Sequence, residues 1–388
     1  MKVIVAFDSF KGSANSLDLA RAAKDAIIRE IPDCEVIYFP LADGGEGTTE
    51  AVCYGLSAEV VHCHVHDPLN KPLEASYAIA KGGLAIMEMA AASGLPLIPQ
   101  EYRNPLYTTS IGTGEMIIDA ISRGCRHFIL GLGGSATNDA GMGLLHALGV
   151  RFLDNKRQLL EPIGLNLGKV MDIDESSILS ELKDCSFTLA CDVSNLFFGP
   201  QGAACIFAPQ KGANDDEVIF LDTSLRHYAN LLKTIKGVDV SQIPGAGAAG
   251  GMGGGLIAFL PAKLRPGIDI ILETLQIQKE LKNADLVITG EGKLDHQTVM
   301  GKALGGILQL SKDKGVPVVA LGGSIEQTDL LNQHGFTAVF SIQPGPVSLN
   351  RAMDTDYALE NVRRIVTQII RMVEPFKNSP LLCQQLEL

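Results

Sequence analysis

The sequence predicts an α/β protein of two domains, a doubly wound parallel-sheet domain interrupted by an inserted second α/β domain. Three observations predict it. The chain opens as strand, helix, strand; it closes on the same alternation; and its middle reads as several short strands in succession. With 388 residues it has room for two or three domains, and with 46% hydrophobic residues it has ample core material.

The elements follow in chain order. Residues 3–7 form a β-branched run ended by a polar, glycine-containing turn. Ser16 is placed to cap the next helix, and Leu17, Ala20, Ala23, Ile27 and Ile31 recur at helical spacing until Pro32 stops it. Residues 36–39 read as a second strand, so the opening is a β-α-β unit and its sheet is parallel. In the middle, 62–65, 75–80 and 85–89 read as strands, followed by a helix over 114–122 and strands over 128–132 and 187–190. Near the end, 285–289, 316–321 and 338–342 are buried-strand runs, and 357–373 is a clear helix. The joins fall near residues 60 and 284. Residues 1–60 and 285–388 then make the doubly wound domain, and 61–284 the inserted one.

The formal net charge of -12 argues against a nucleic-acid or anionic-membrane partner, whose binding needs a basic surface. It leaves phosphorylated small molecules open, since these are held by local amides, single lysines and cations. The apolar run at residues 3–7 is too short for a signal peptide, so the cytoplasm is the expected location. Residues 240–262 are uncharged and long enough to span a membrane, but prolines and glycines make a Gly-rich loop leading into a helix the better reading. Eight cysteines without a CxxC pair read as reduced, mostly buried thiols.

Ligands of open α/β sheets bind beyond the carboxyl ends of the strands. The segments that follow the predicted strands share one character. They are Asp8-Ser9-Phe10-Lys11-Gly12-Ser13, Asp43-Gly44-Gly45-Glu46-Gly47-Thr48, Gly133-Gly134-Ser135-Ala136-Thr137-Asn138-Asp139, Asp192, Gly290-Glu291-Gly292-Lys293-Leu294-Asp295, and Gly322-Gly323-Ser324. Glycines let backbone N–H groups approach phosphate oxygens, carboxylates hold a cation or take a proton, and lysines neutralise transferring oxygens. Phosphoryl transfer is mostly positioning and electrostatics, and these are its parts. Turn formation explains any one segment equally well, but six together point to a ligand cleft.

The common phosphate signatures are missing. Gly301-Lys302 comes closest to a P-loop, but His296 stands where its first glycine belongs and Ala303 where its hydroxyl belongs. Gly245-Ala246-Gly247-Ala248-Ala249-Gly250 matches a dinucleotide fingerprint, with Asp269 at ribose distance. Pro244 and the poor strand before it favour a helix start packed closely on its neighbour. His62, His64 and His66 share one strand face, but without a partner set at metal-ligand spacing they read as a polar face.

At these segments the sequence resembles the bacterial glycerate kinase family. The residues that carry the resemblance are DSFKGS (8–13), PLADGGEGT (40–48), EMAAASGL (88–95), GTGE (112–115), GLGGSATNDAGMG (131–143), ACDV (190–193), PQKGA (209–213), PGAGAAGGMGGG (244–255), ITGEGKLDHQT (288–298) and GK (301–302). They run in order over nearly the whole chain. Ala140, Leu196, Phe197 and Ala208 depart from the family pattern and leave its charged residues intact.

The resemblance implies a flavodoxin-like domain formed from both chain ends, an inserted domain, and an active site in the cleft between. It also implies transfer from ATP to D-glycerate with Mg²⁺, mostly at the 2-hydroxyl, with the 3-hydroxyl as the alternative. Glycerate is then the small-molecule partner, with no nucleic acid or membrane, and a homodimer is left open.

Strand-end position and resemblance together assign candidate roles. Asp192 is the first candidate for general base and Asp295 the second. Glu291 and Asp43 are candidates for Mg²⁺. Lys11 and Lys293 neutralise phosphate charge, and Asp8, Ser9, Gly44, Gly45 and Asn138 contact substrate or nucleotide. Gly133, Gly134 and Ser135 offer amides at a helix start, and Arg103 clamps the substrate carboxylate. Two other readings compete: an NAD(P)-dependent oxidoreductase using the fingerprint at 245–250, and a non-catalytic two-domain binder.

Overall fold

The computed structural model describes residues 1–42, 52–54, 56, 58–299 and 303–377. Thirteen strands are present among them. In chain order they are β1 (Lys2–Phe7), β2 (Glu35–Pro40), β3 (Glu59–His66), β4 (Pro72–Ala80), β5 (Leu84–Glu88), β6 (His127–Gly131) and β7 (Arg151–Leu153). Then come β8 (Asp172–Asp174), β9 (Ser186–Ala190), β10 (Ala262–Arg265), β11 (Leu286–Leu294), β12 (Val318–Ile325) and β13 (Ala338–Ser341). The chain divides into two compact units, Met1–Asp43 with Ile268–Leu388, and Gly44–Gly267.

The first unit holds a five-stranded sheet of order β13-β12-β11-β1-β2, every pair parallel. Counted within that sheet the order is 2-1-3-4-5, the flavodoxin-like arrangement the resemblance implies. β1 is buried on both faces because helices cover both. Val3, Val5 and Phe7 pack with Leu19, Ala23 and Ile27 of the helix Ser16–Glu30, and with Val362, Val366 and Ile369 of the helix Thr355–Lys377. The helix Ala303–Lys312 packs on β11. Asn15 rather than Ser16 caps the first helix, its side chain accepting the Asp18 N–H; Ser16 is instead buried in the first turn.

β11 differs from the sequence expectation. The sequence ends this strand at residue 289 and makes 290–295 a loop, because Gly, Glu and Lys are poor strand formers. In the structure β11 continues to Leu294, paired with β12 from Gly290↔Leu321 through Leu294↔Ile325. The neighbouring strand overrides local preference. The alternation of a strand then puts Glu291 and Lys293 on one face and the buried Leu294 on the other.

The second unit is built on a six-stranded sheet of order β10-β9-β6-β5-β4-β3. β10, β9, β6 and β5 run parallel, and β4 and β3 are added antiparallel. Phe128 and Phe187 stack across β6 and β9 at 4.7 Å in the core of this unit. The 22-residue helix Asp215–Lys236 buries Leu221, Leu225, Tyr228 and Leu232. Among the described residues no helix is long and apolar enough to cross a membrane.

Candidate active site

In an open α/β sheet the ligand crevice lies where the strand order reverses. In the first unit that point falls between β1 and β11. A cavity of about 710 Å³ is lined there by Asp8, Ser9 and Lys11 from the turn after β1, and by Glu291, Lys293 and Asp295 from the end of β11. Six predicted site residues from opposite ends of the chain thus share one cavity.

Asp8 is buried and its Oδ1 accepts the Ser9 N–H at 2.6 Å. Lys11 is exposed. The Lys293 ammonium lies 3.0 Å from Glu326 and 3.5 Å from Asp295. Its hydrogen bond to Glu326, then the nearby charges of Glu326 and Asp295, raise its pKa, so it stays a cation. Glu291 is oriented by Thr298, a residue the sequence did not single out. The buried Thr298 hydroxyl donates to Glu291 Oε1 at 2.6 Å and its oxygen accepts the Asp295 N–H at 3.0 Å. The signal was present. Asp295 precedes the 3₁₀ turn His296–Val299, and a polar side chain three residues on reaches back to the N–H that opens the turn.

In the second unit, the carboxyl ends of the adjacent strands β6 and β9 bring residues 133–138 and Asp192 to one sheet edge. Gly133 and Gly134 form a turn and Ser135 bridges to Gly94. They are not at a helix start, as the sequence expects; the next helix, Met142–Ala147, begins further on. Asp139 explains the delay. Fully buried, it accepts the N–H groups of Ser110, Gly141 and Gly143 and the Ser110 hydroxyl. Its carboxylate therefore organises the loop before the helix can begin. Burial pushes its pKa up against those hydrogen bonds.

Lys211 supports the same loop and was not among the expected site residues. Its ammonium is buried and donates to Ser135 Oγ and the Thr137 carbonyl, both at 2.7 Å. Burial, opposed by the Asp139 charge, brings its pKa down to about 7. Next to Asp139 in sequence, Asn138 is 0% exposed, and neither end of its amide has a hydrogen-bond partner among the described residues. Buried amides almost always have one, so this unsatisfied amide needs a water or a ligand to complete its bonding. Asp192 is exposed and its Oδ1 accepts the Gly267 N–H at 2.9 Å. Arg103 is half-buried and its Nε donates to the Ile98 carbonyl at 3.1 Å, so part of its fork is committed to the protein. Asp43, Gly44 and Gly45 lie outside the described residues.

The dinucleotide-like segment has a packing role. No strand precedes it, only the 3₁₀ turn Val240–Gln242, and Ala249, Gly250 and Gly251 have positive φ. A Cβ on Gly250 would overlap the Thr137 carbonyl, and one on Gly255 the Ala140 carbonyl. These glycines let the helix Ala248–Phe259 press against residues 137–140, which leaves no space for a pyrophosphate. His66 pairs with Glu115 at 2.8 Å, and His62 lies 3.7 Å from Glu74.

Comparison with known proteins decides the family. Residues 3–374 match the model of the glycerate kinase family. The chain belongs to the glycerate kinase family. It is 43% identical to a glycerate kinase of Bacillus cereus (strain ATCC 10987 / NRS 248), over 95% of this chain and 97% of that one. It is 42% identical to the glycerate 2-kinase of Escherichia coli (strain K12), over 92% and 94%. A crystal structure described as a glycerate kinase 2 of Salmonella typhimurium LT2 superposes with a TM-score of 0.88 at 40% identity, covering 98% of this chain and all of that one.

Mg²⁺ takes one or two carboxylates together with phosphate oxygens and water. The first-unit cavity offers oxygen donors of that kind, with Asp8, Glu291 and Asp295 lining it.

Proposed function

We propose that this member of the glycerate kinase family transfers the γ-phosphoryl group of ATP to the 2-hydroxyl of D-glycerate, giving ADP and 2-phosphoglycerate. The observation that carries the reading is the cavity at the switch point of the flavodoxin-like sheet, where two lysines and three carboxylates meet three serines and three glycines. The names of the relatives from Bacillus cereus and Escherichia coli support the acceptor. The Escherichia coli relative, a glycerate 2-kinase, supports the 2-position.

In this reading Asp192 accepts the proton of the attacking hydroxyl, with Asp295 as the second candidate. The hydroxyl oxygen bonds to the γ-phosphorus while the bond from that phosphorus to the β–γ bridging oxygen breaks, and the electron pair leaves with ADP. Lys11 and Lys293 offset the negative charge on the phosphate oxygens. Glu291, with Asp8 beside it and Asp43 as a further candidate, would hold Mg²⁺, which supplies additional positive charge at the phosphates. Ser135 and Asn138, on the loop that Lys211 secures, would contact the acid, with Arg103 at its carboxylate.

A coupled ADP-release assay over a panel of small hydroxy acids tests this, with the product read by NMR. D-glycerate should give the highest kcat/KM and 2-phosphoglycerate the only product. Formation of 3-phosphoglycerate would move the acceptor position, and absence of ADP release with every acid would refute the kinase reading.

A further inference from the structure

The first-unit cavity has two chemically different ends. Around β1 and β11 it is polar, with Lys11, Lys293 and Glu291. Beyond β13 it is apolar, lined by Val347, Leu349 and Met353. These three side chains are 39%, 74% and 38% exposed. Large apolar groups left open beside a charged wall gain when a ligand covers them. A three-carbon hydroxy acid has almost no apolar surface and fills little of about 710 Å³.

A second observation points the same way. Two oxygens on the cavity lining, Ser13 Oγ and Gln343 Oε1, are buried without a hydrogen-bond partner among the described residues. Buried polar atoms are nearly always paired, so a small rotation of either side chain on ligand entry would let the ligand supply the missing partner. The apolar end is also fixed in place. The Thr355 hydroxyl donates to the Ser13 carbonyl at 2.5 Å, and the Arg364 guanidinium donates to the Ile342 carbonyl at 3.1 Å.

We propose that this cavity is the nucleotide site, with the adenine ring covered by Val347, Leu349 and Met353 and the polyphosphate running toward Lys11 and Lys293. The proposal rests on the kinase reading and adds which end of which cavity takes each part of ATP. A purine is a flat apolar ring with a polar edge. The apolar side chains take its faces, and the Gln343 amide, which carries both donors and an acceptor, reads its edge.

Calorimetry of ADP binding and steady-state kinetics on the full chain test it, with wild type, Leu349→Ser and Gln343→Leu. Leu349 is exposed, so its substitution spares the fold. ADP affinity should fall about tenfold in Leu349→Ser, the loss expected for removing most of a leucine's apolar contact. KM for ATP should rise in parallel, with KM for glycerate unchanged. Gln343→Leu should narrow the ratio of ADP to GDP affinity. Failure of wild type to bind ADP, unchanged ADP affinity in Leu349→Ser, or a rise in KM for glycerate alone would overturn the assignment. Because ADP binding is read without turnover, a wild type that binds ADP but phosphorylates no hydroxy acid would refute the acceptor and leave this site standing.

Discussion

At the scale of single residues, Asp192 and Thr298 separate chemistry from structure. Asp192 carries a proposed proton-accepting role and also a hydrogen bond to the Gly267 N–H. Asparagine keeps an acceptor oxygen for that N–H but lacks the charge. Asp192→Asn should therefore retain its melting temperature while kcat falls by about 10²- to 10⁴-fold. Asp192→Ala should lose as much kcat and about 1 kcal/mol of stability besides, measured by chemical denaturation. Wild-type turnover in either variant would remove the base assignment. Thr298 holds Glu291 and the Asp295 N–H through one hydroxyl. Thr298→Val removes both hydrogen bonds and should cost about 1–3 kcal/mol of stability. It should also raise the Mg²⁺ concentration needed for half-maximal rate. Thr298→Ser, which restores the hydroxyl, should recover both, a pattern that mere loss of packing would not give.

At the scale of elements, the loop over residues 133–139 depends on what lies beneath and beside it. Gly250→Ala would strain a backbone at φ 66° and overlap the Thr137 carbonyl. It should destabilise the second unit by about 2 kcal/mol or more, read from the urea midpoint. Lys211 gives a pH signature. Its folded pKa, about 7, lies below the ordinary lysine value of 10.5, so between those values the unfolded chain carries the extra proton. Stability from this group rises with pH through that window, and its cost is fully present below pH 7. Denaturation of Lys211→Met against wild type should show a flatter pH dependence between 7 and 10.5; equal slopes would contradict the buried-ammonium account.

Legibility in the sequence also varied by element. β1, β2 and the closing helix were readable because buried β-branched runs and 3.6-residue spacing are strong signals. The far half of β11 was not, since its glycines and charges suit a loop until β12 pairs with them. The helix Asp215–Lys236 went unread although Asn214 and Glu217 form a capping box and Gly237 closes it. Of the candidate site, the glycine- and carboxylate-rich segments at strand ends were visible. Thr298 and Lys211 were not, because their roles exist only through partners that folding brings near.

At the scale of the whole molecule, each unit has its own buried core. Calorimetric melting should therefore show two transitions rather than one. If the nucleotide binds the first-unit cavity, ADP at a hundredfold excess over its Kd should stabilise that unit by about 2.7 kcal/mol and raise its transition selectively. A single transition unaffected by ADP would argue against both points.

The central place of β1 carries a consequence for synthesis. Val3 pairs on one side with Val36, made moments later, and on the other with Leu286, made 250 residues after Val36. At typical ribosomal rates that second neighbour arrives on the order of tens of seconds afterwards. Through that interval the most buried strand of the protein has a bare edge in the cell. The intervening residues 58–267, contiguous in the chain, can already be folded before the nascent N-terminus finds its last partner.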